Sequence, residues 1–144
     1  MKCVVQRIKS GKVFVDNKVV GESKKGLLIL CGFIEEDTQK TMDWVANRIV
    51  KMRIFPDDNG KLNLSLLDIG GEALVVSNFT LYADCAHGYR PNFAKAANRE
   101  ISEPMYDYFV SKIKESVKVG TGKFGEHMEM ELFSDGPITV VVEK

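Results

Sequence analysis

The sequence has few of the residues that metal centres and disulfide frameworks need. It contains two histidines and three cysteines in 144 residues. Cys3, Cys31 and Cys85 are widely spaced and include no Cys-x-x-Cys pair. His87 and His127 belong to no His-Glu-x-x-His pattern. The spacing therefore predicts buried free thiols, no zinc site, no protein-bound catalytic metal and no other cofactor.

A long hydrophobic run is also missing. No apolar stretch approaches the ~20 residues that a membrane-spanning helix needs, and the N-terminal stretch MKCVVQRIKS lacks the apolar middle of a secretory signal. We therefore expect a cytoplasmic protein without a membrane partner. A length of 144 residues with 44% hydrophobic residues suffices for one core, which predicts a single domain over residues 1–144.

Neither sign of charge is in excess, because 20 Lys and Arg residues balance 20 Asp and Glu residues. This balance argues against strong nonspecific binding to nucleic acid. The charges are unevenly distributed, however: residues 1–25 carry seven basic side chains against two acidic ones, and residues 85–99 carry Arg90, Lys95 and Arg99 without an acid. A solvated mixed surface is the more frequent result of such counts, and a basic face for a polyanion is the alternative.

The pattern of apolar residues predicts strands and two main helices. The predicted strands are CVVQRI, KVFVDNKVVGES with a turn at residues 16–18, GLLILCGF, EALVVSNFTL, HMEMELF and ITVVVE. Residues 38–52 show helical spacing, and so does the segment that follows Ser102, the expected N-cap, and Pro104. This order predicts a mixed α/β or α+β fold with a largely antiparallel or barrel-like sheet.

One candidate site lies where a buried strand ends. ALVV is followed by Ser77, Asn78 and Thr80, whose side chains and backbone N–H groups are suited to a small polar ligand or an oxyanion. Hydrogen bonds from these side chains to the local backbone are an equally good interpretation. Nothing resembles the Gly-x-Ser-x-Gly pattern of a serine hydrolase, and both histidines are better explained by structural roles.

Two further segments are candidates. Phe124 stands between glycines in GTGKFGEHM, where an aromatic ring suits stacking on a base, although lone exposed aromatics are common on surfaces. Gly136 and Pro137, in SDGPITV, precede the last predicted strand. Their pairing indicates either a tight turn or a rigid element that directs backbone carbonyls at a ligand.

Seven stretches together resemble the D-aminoacyl-tRNA deacylase family. They are VVQRI at 4–8, RIFPDDNGKLNLS at 53–65, LVVSNFTLYAD at 74–84, GYRPNF at 88–93, YDYFV at 106–110, TGKFG at 121–125 and SDGPIT at 134–139. The resemblance implies hydrolysis of the ester that joins a D-amino acid, or mischarged glycine, to the 3′-terminal adenosine of tRNA. It also implies rejection of L-aminoacyl groups and a homodimer whose sites lie at the subunit interface.

The resemblance also implies roles for individual residues. Residues 77–80 would form the catalytic segment, with the backbone N–H groups around Phe79 and Thr80 at the oxyanion and the 2′-hydroxyl of the tRNA assisting the attacking water. Gly136 and Pro137 would form a cis bond that reaches into the neighbouring subunit and rejects L-amino acids. Phe124 would be a candidate for contact with the adenosine.

Two positions depart from the family pattern. Asn78 replaces the usual glutamine, and Ser134 replaces the usual asparagine before the Gly-Pro pair. Because of the shorter Asn78 side chain, a catalytically silent tRNA-binding or nucleotide-binding module on the same fold is an alternative. A hydrolase of another small ester or amide that uses Cys85 or Ser77 is a second one.

Overall fold

The structure is a computed structural model that describes residues 1–144. It contains a six-stranded mixed sheet, a two-stranded ribbon and two α-helices. The strands are β1 (Lys2–Val15), β2 (Lys18–Ser23), β3 (Gly26–Gly32), β4 (Phe55–Pro56), β5 (Leu62–Leu64), β6 (Glu72–Ser77), β7 (Val119–Thr121) and β8 (Glu129–Glu143), and the helices are α1 (Gln39–Lys51) and α2 (Arg99–Lys114). The predicted α+β class with two main helices is confirmed.

The first three strands form one long hairpin. β1 pairs antiparallel with β2 and then with β3 in nearly the same register, so residues 18–32 run back along most of β1. Asp16 and Asn17 make the turn with φ angles of 50° and 61°. Positive φ at both central residues is typical of the type I′ turn, whose twist matches that of paired strands. The predicted turn at residues 16–18 is therefore confirmed.

The sheet curls into a nearly closed barrel. β6 pairs parallel with β3, β7 pairs parallel with β6, and β7 returns to lie against β2. Two glycines permit this approach. A Cβ atom on Gly21 would lie 2.0 Å from the Thr121 carbonyl oxygen, and one on Gly120 would lie 2.1 Å from the Glu22 carbonyl oxygen. Backbones this close leave no room for a side chain at either position.

Both helices pack their apolar sides into the main core. α1 begins after Thr38, whose hydroxyl accepts a hydrogen bond from the Thr41 N–H, so the helix predicted for residues 38–52 is confirmed. Val45 and Ile49 of α1 are fully buried in the same cluster as Phe109 of α2. Neither helix is long and apolar enough to cross a membrane.

The start of α2 differs from the prediction. The Asn98 side chain accepts a hydrogen bond from the Ile101 N–H and caps the helix, which begins at Arg99. Ser102, the predicted cap, lies inside the helix and donates its hydroxyl to the Asn98 carbonyl oxygen at 2.7 Å. The prediction was wrong by one helical turn because asparagine and serine are both good N-caps.

The last two predicted strands are one strand. β8 pairs with β1 on both sides of the Gly136–Pro137 pair. Ile8 pairs with Ser134 and Gln6 pairs with Thr139, so residues 135–138 bulge out opposite a single residue of β1. A bulge tolerates proline because the extra residues need no ladder hydrogen bond. The Gly-Pro pair therefore lies on a bulge within a continuous strand rather than in a turn between strands.

Candidate functional site

A cleft of about 440 Å³ opens where the parallel strands β3 and β6 end. Cys31 and Ser77 are register partners at this end, so the residues that follow both strands meet there. The cleft is lined by residues 31–33, residues 77–79, Ala97, Arg99, Ser102, residues 124–126 and Met128. The fold therefore brings three of the four predicted catalytic positions together with Phe124.

The predicted catalytic segment is organised by Asn78. Its side-chain oxygen accepts a hydrogen bond from the Thr80 N–H at 3.2 Å and another from the Thr80 hydroxyl, and so caps the 3₁₀ helix Phe79–Tyr82. Thr80 is exposed and does not line the cleft. The Phe79 N–H has no partner among the hydrogen bonds of turns and caps. As the first residue of the 3₁₀ helix, Phe79 has no acceptor for its N–H within that helix, whereas the Thr80 N–H is already engaged.

Phe124 lies at the edge of the core rather than on a free loop. It is half-buried, and the centres of its ring and the Tyr106 ring are 5.6 Å apart. The Tyr106 hydroxyl donates to the Val75 carbonyl oxygen at 2.9 Å, and the Gly122 N–H donates to the same oxygen at 3.0 Å. Burial raises the pKa of Tyr106, which keeps the hydroxyl a neutral donor. These bonds fix the loop that presents Phe124 to the cleft.

The cleft contains a thiol that is unsuited to nucleophilic attack. Cys31 is buried, and its thiol lies 3.6 Å from the Val76 carbonyl oxygen. Burial, with a smaller effect of Cys3, raises the pKa of Cys31 well above its usual value, so the thiol stays protonated. Cys85 is exposed and lies outside the cleft.

His87 and His127 are both exposed and neither lines the cleft. No cluster of three or more His, Cys, Asp or Glu side chains is placed to hold a metal ion. A reaction without a metal or cofactor stays a prediction.

Two charged residues of the cleft were not predicted as site residues. Arg99 faces Gly125 closely, since a Cβ atom on that glycine would lie 3.1 Å from Arg99 Nη1, and it pairs with Glu103 at 3.2 Å. Glu126 lies on the loop after β7, where one of its carboxylate oxygens is 3.7 Å from Lys123 Nζ. Both side chains are largely exposed, so they lie at the mouth of the cleft.

Gly136 and Pro137 are not part of this cleft. Both are exposed on the β8 bulge, and the bond between them is cis, as the resemblance implied. The bulge is held by Arg7, whose Nε lies 2.9 Å from a carboxylate oxygen of Asp135 and donates to the Asp135 carbonyl oxygen at 3.2 Å. Arg7 Nη1 also donates to the Ile54 carbonyl oxygen at 2.8 Å. Arg7 is a supporting residue that was not predicted as part of the site.

The strand that carries this bulge has an exposed apolar edge. β8 pairs only with β1. Its exposed large apolar residues are Met130, Leu132, Phe133 and Val141, of which Phe133 and Val141 are 61% and 59% exposed. An unpaired apolar edge strand is a ready surface for pairing with another chain.

Comparisons with known proteins agree on one family. A family model described as "D-Tyr-tRNA(Tyr) deacylase" matches residues 4–143. A Clostridioides difficile (strain 630) protein named "D-aminoacyl-tRNA deacylase" is 49% identical over 144 residues, covering 99% of this chain and 97% of the relative. A Desulfatibacillum aliphaticivorans protein of the same name is 51% identical over 144 residues, covering 99% of each chain.

Two solved structures share the fold. One, named "c-Myc DNA Unwinding Element Binding Protein", superposes with a TM-score of 0.94 at 33% identity and covers 100% of this chain and 99% of its own. The other is described as "a probable eukaryotic D-amino acid tRNA deacylase" and superposes with a TM-score of 0.85 at 17% identity, covering 98% and 97%. The second likeness shows the fold alone.

Proposed function

Because the chain belongs to the D-Tyr-tRNA(Tyr) deacylase family and is a hydrolase of D-aminoacyl-tRNA, we propose that the cleft at the ends of β3 and β6 is its active site. The observation that carries this proposal is that Ser77, Asn78 and Phe79 line one cleft with Phe124. A volume of about 440 Å³ lies in the range of small-molecule sites and suits a terminal adenosine with its amino acid. The main apolar core combines residues from Met1 to Val142, which supports treating residues 1–144 as one deacylase domain.

The Phe79 N–H is the proposed oxyanion donor. When water attacks the ester, negative charge develops on the carbonyl oxygen, and a fixed N–H at that point lowers the barrier. The Phe79 N–H has no competing partner in a turn or cap, while the Asn78 side chain holds the segment by binding Thr80. Asn78 acts here through a local cap, which needs only a short side chain, so the departure from glutamine is compatible with catalysis.

The substrate itself is the proposed source of assistance to the water. The charged lining residues are Arg99, which cannot act as a base at neutral pH, and Glu126, which lies exposed beside Lys123. The 2′-hydroxyl of the terminal ribose, next to the ester, is then the group that orients the water. Wild-type enzyme should lose most of its rate on D-tyrosyl-tRNA with a 2′-deoxy terminal adenosine. An unchanged rate on that substrate would contradict this step.

The proposed assembly is a homodimer in which each Gly136–Pro137 pair completes the partner's cleft. Within one chain the pair is exposed and does not line the cleft, and it lies on the strand with the apolar edge. A second copy placed on that edge would bury it and would carry the pair to the other cleft. The pair's carbonyl groups would bind the α-ammonium group of the amino acid and leave no space for an L-side chain.

This arrangement also accounts for the proposed substrate range. A filter made of backbone does not contact the D-side chain, so it accepts many D-amino acids, and glycine passes because it has no side chain to exclude. An enzyme acting on tRNA in this way belongs in the cytoplasm, which is where we place it. No membrane partner is part of the proposal.

Matched substrates test the proposal. D-tyrosine, L-tyrosine and glycine esters of one tRNA are incubated with the enzyme and the release of free amino acid is measured. We expect release of D-tyrosine and glycine and no release of L-tyrosine. Tight tRNA binding without hydrolysis would favour the silent binding module, an alternative that the relative named for DNA binding keeps relevant. Equal rates with both enantiomers would refute the chiral filter.

A further inference from the structure

A short hairpin stands beside the cleft. Asp84 and Asn92 pair through their backbones, with the Asp84 N–H donating to the Asn92 carbonyl oxygen at 2.7 Å and the reverse bond at 2.9 Å. The side chains of the same two residues accept hydrogen bonds from the Ala86 and Ala94 N–H groups, each at 2.9 Å. We call residues 84–95 the rim hairpin. Its base is closed by four internal hydrogen bonds, so the local shape of the base is defined.

Both ends of the rim hairpin join the cleft. It begins two residues after the 3₁₀ helix Phe79–Tyr82. It leads to Ala97, which lines the cleft and donates its N–H to the Phe33 carbonyl oxygen at 2.9 Å. In addition, the Phe93 ring packs edge-on against Phe79, with 5.2 Å between the ring centres. The hairpin therefore forms one side of the cleft mouth.

The exposed side chains of the rim hairpin suit a polyanion with flat bases. Tyr89 is fully exposed and contacts no other aromatic ring or cation. Arg90 and Lys95 are exposed and take part in no ion pair. Asp84, at the base, is the one acidic residue of the hairpin and accepts a hydrogen bond from the Ala86 N–H, and no acidic residue occurs between positions 85 and 99. An aromatic ring next to free cations is the arrangement that holds single-stranded nucleic acid.

The loop after β7, which also borders the cleft, offers no free cation. Its Lys123 is paired with Glu126, whose carboxylate would repel a phosphate. An RNA chain whose terminal adenosine occupies the cleft has to leave over one side. The charges favour the rim hairpin.

We propose that the rim hairpin binds the single-stranded nucleotides that precede the terminal adenosine of the tRNA. A base stacks on Tyr89, and the phosphates contact Arg90 and Lys95. The inference rests on the proposed function, because it places the adenosine in the cleft. It names a contact for the part of the substrate just outside that cleft.

Three D-tyrosyl esters separate this contact from others: those of whole tRNA, of the trinucleotide CCA that ends tRNAs, and of adenosine alone. Tyr89→Ala and Arg90→Ala should each raise KM by roughly fivefold or more for the tRNA and the trinucleotide, because stacking and phosphate contacts are lost. KM for the adenosine ester should not change. Tyr89→Phe keeps the ring and should keep KM. Arg90→Ala should also reduce the salt dependence of log KM for tRNA by about 0.7.

Lys40→Ala, an exposed lysine of α1, is the matched control for lost charge, and circular dichroism confirms that each variant is folded. A wild-type enzyme inactive on all three esters would refute the proposed function. An active wild type with unaffected variants would refute only the rim hairpin contact. The contact is also refuted if Tyr89→Ala and Arg90→Ala raise KM for all three esters, or for whole tRNA alone. It is refuted as well if Lys40→Ala raises KM as much as Arg90→Ala does.

Discussion

Arg7 on β1 and Asp135 on β8 form an ion pair directly beneath the Gly136–Pro137 pair. Arg7 Nε lies 2.9 Å from the Asp135 carboxylate, and the Arg7 side chain also binds the carbonyl oxygens of Asp135 and Ile54. Arg7 is 8% exposed, so it makes these contacts largely shielded from water. The bulge therefore depends on a buried side chain of another strand for its position.

Arg7→Ala should move the bulge and weaken the fold. It leaves the Asp135 carboxylate and two carbonyl oxygens without a donor, which costs about 1–3 kcal/mol in the free energy of unfolding. Arg7→Lys keeps the charge but loses the planar fork, so its effect should be intermediate. Urea unfolding and D-tyrosyl-tRNA hydrolysis measure both effects. Lys112→Ala removes an exposed ion pair with Glu115 and should change neither the stability nor the rate of hydrolysis. Equal losses in Lys112→Ala and Arg7→Ala would contradict the role of Arg7.

Gly136→Ala should strongly reduce the rate of hydrolysis while the fold survives. Gly136 has a φ of 134°, and an added Cβ would lie 2.5 Å from the Ile138 nitrogen, so the bulge must shift. A displacement of this size at a group that positions the substrate costs roughly 100-fold in rate. Gly60→Ala is the control, since Gly60 also has a positive φ, of 75°, but lies in open space. Active Gly136→Ala enzyme would show that the pair does not position the substrate.

Thiol chemistry should play no part in the reaction. Cys3 and Cys31 are buried, and burial raises the pKa of both thiols. At pH 8, which is close to the pKa of an ordinary exposed thiol, both should therefore stay protonated. Protonated thiols do not react with alkylating agents. The Cys85→Ser variant keeps only these two thiols. Treated with iodoacetamide, it should gain no mass and hydrolyse D-tyrosyl-tRNA as fast as before treatment. Alkylation of Cys31 with loss of activity would contradict this prediction.

The sequence predicted most of the fold because alternation and helical spacing are local signals. The hairpin of β1 with β2 and the helix after Thr38 are examples. β8 was predicted as two strands because glycine and proline usually mark turns, and only the pairing with β1 on both sides shows one strand. Barrel closure at Gly21 and Gly120 depends on distant backbones, which no local pattern records.

The sequence predicted those site residues that lie in a recognisable motif, but it did not predict Arg7 or Arg99. Ser77, Asn78 and Phe79 were found because they stand at the end of a buried strand, in a stretch that resembles a family motif although Asn78 replaces its usual glutamine. Arg7 carried a signal that was overlooked: it continues the inward alternation of Cys3 and Val5, where a charged residue needs a buried partner. The place of Arg99 at the cleft has no such signal, because it depends on where α2 begins relative to the loop after β7.

The apolar edge of β8 predicts the effect of a charge there. Val141→Asp should prevent formation of the proposed dimer, because a carboxylate would have to be buried in the proposed interface without a partner. Val19→Asp places the same charge on β2, where Val19 is 48% exposed, and should leave the dimer intact. Sedimentation of both variants at micromolar concentration measures this. Dimers of Val141→Asp as stable as those of the wild type would exclude β8 as the interface.

Mixed dimers provide the sharpest test of a site shared between subunits. Gly136→Ala should inactivate the pair and Phe124→Ala the cleft, so each homodimer should be inactive. In a mixed dimer the intact cleft of one subunit faces the intact Gly136–Pro137 pair of the other, and one of the two sites is complete. If subunits pair at random when an equal mixture is unfolded and refolded, half of the dimers are mixed. Each mixed dimer has one complete site of two, so roughly a quarter of the wild-type rate should return. No recovery, with mixed dimers demonstrated by mass spectrometry, would mean that each chain supplies its own pair and would overturn the cross-subunit filter.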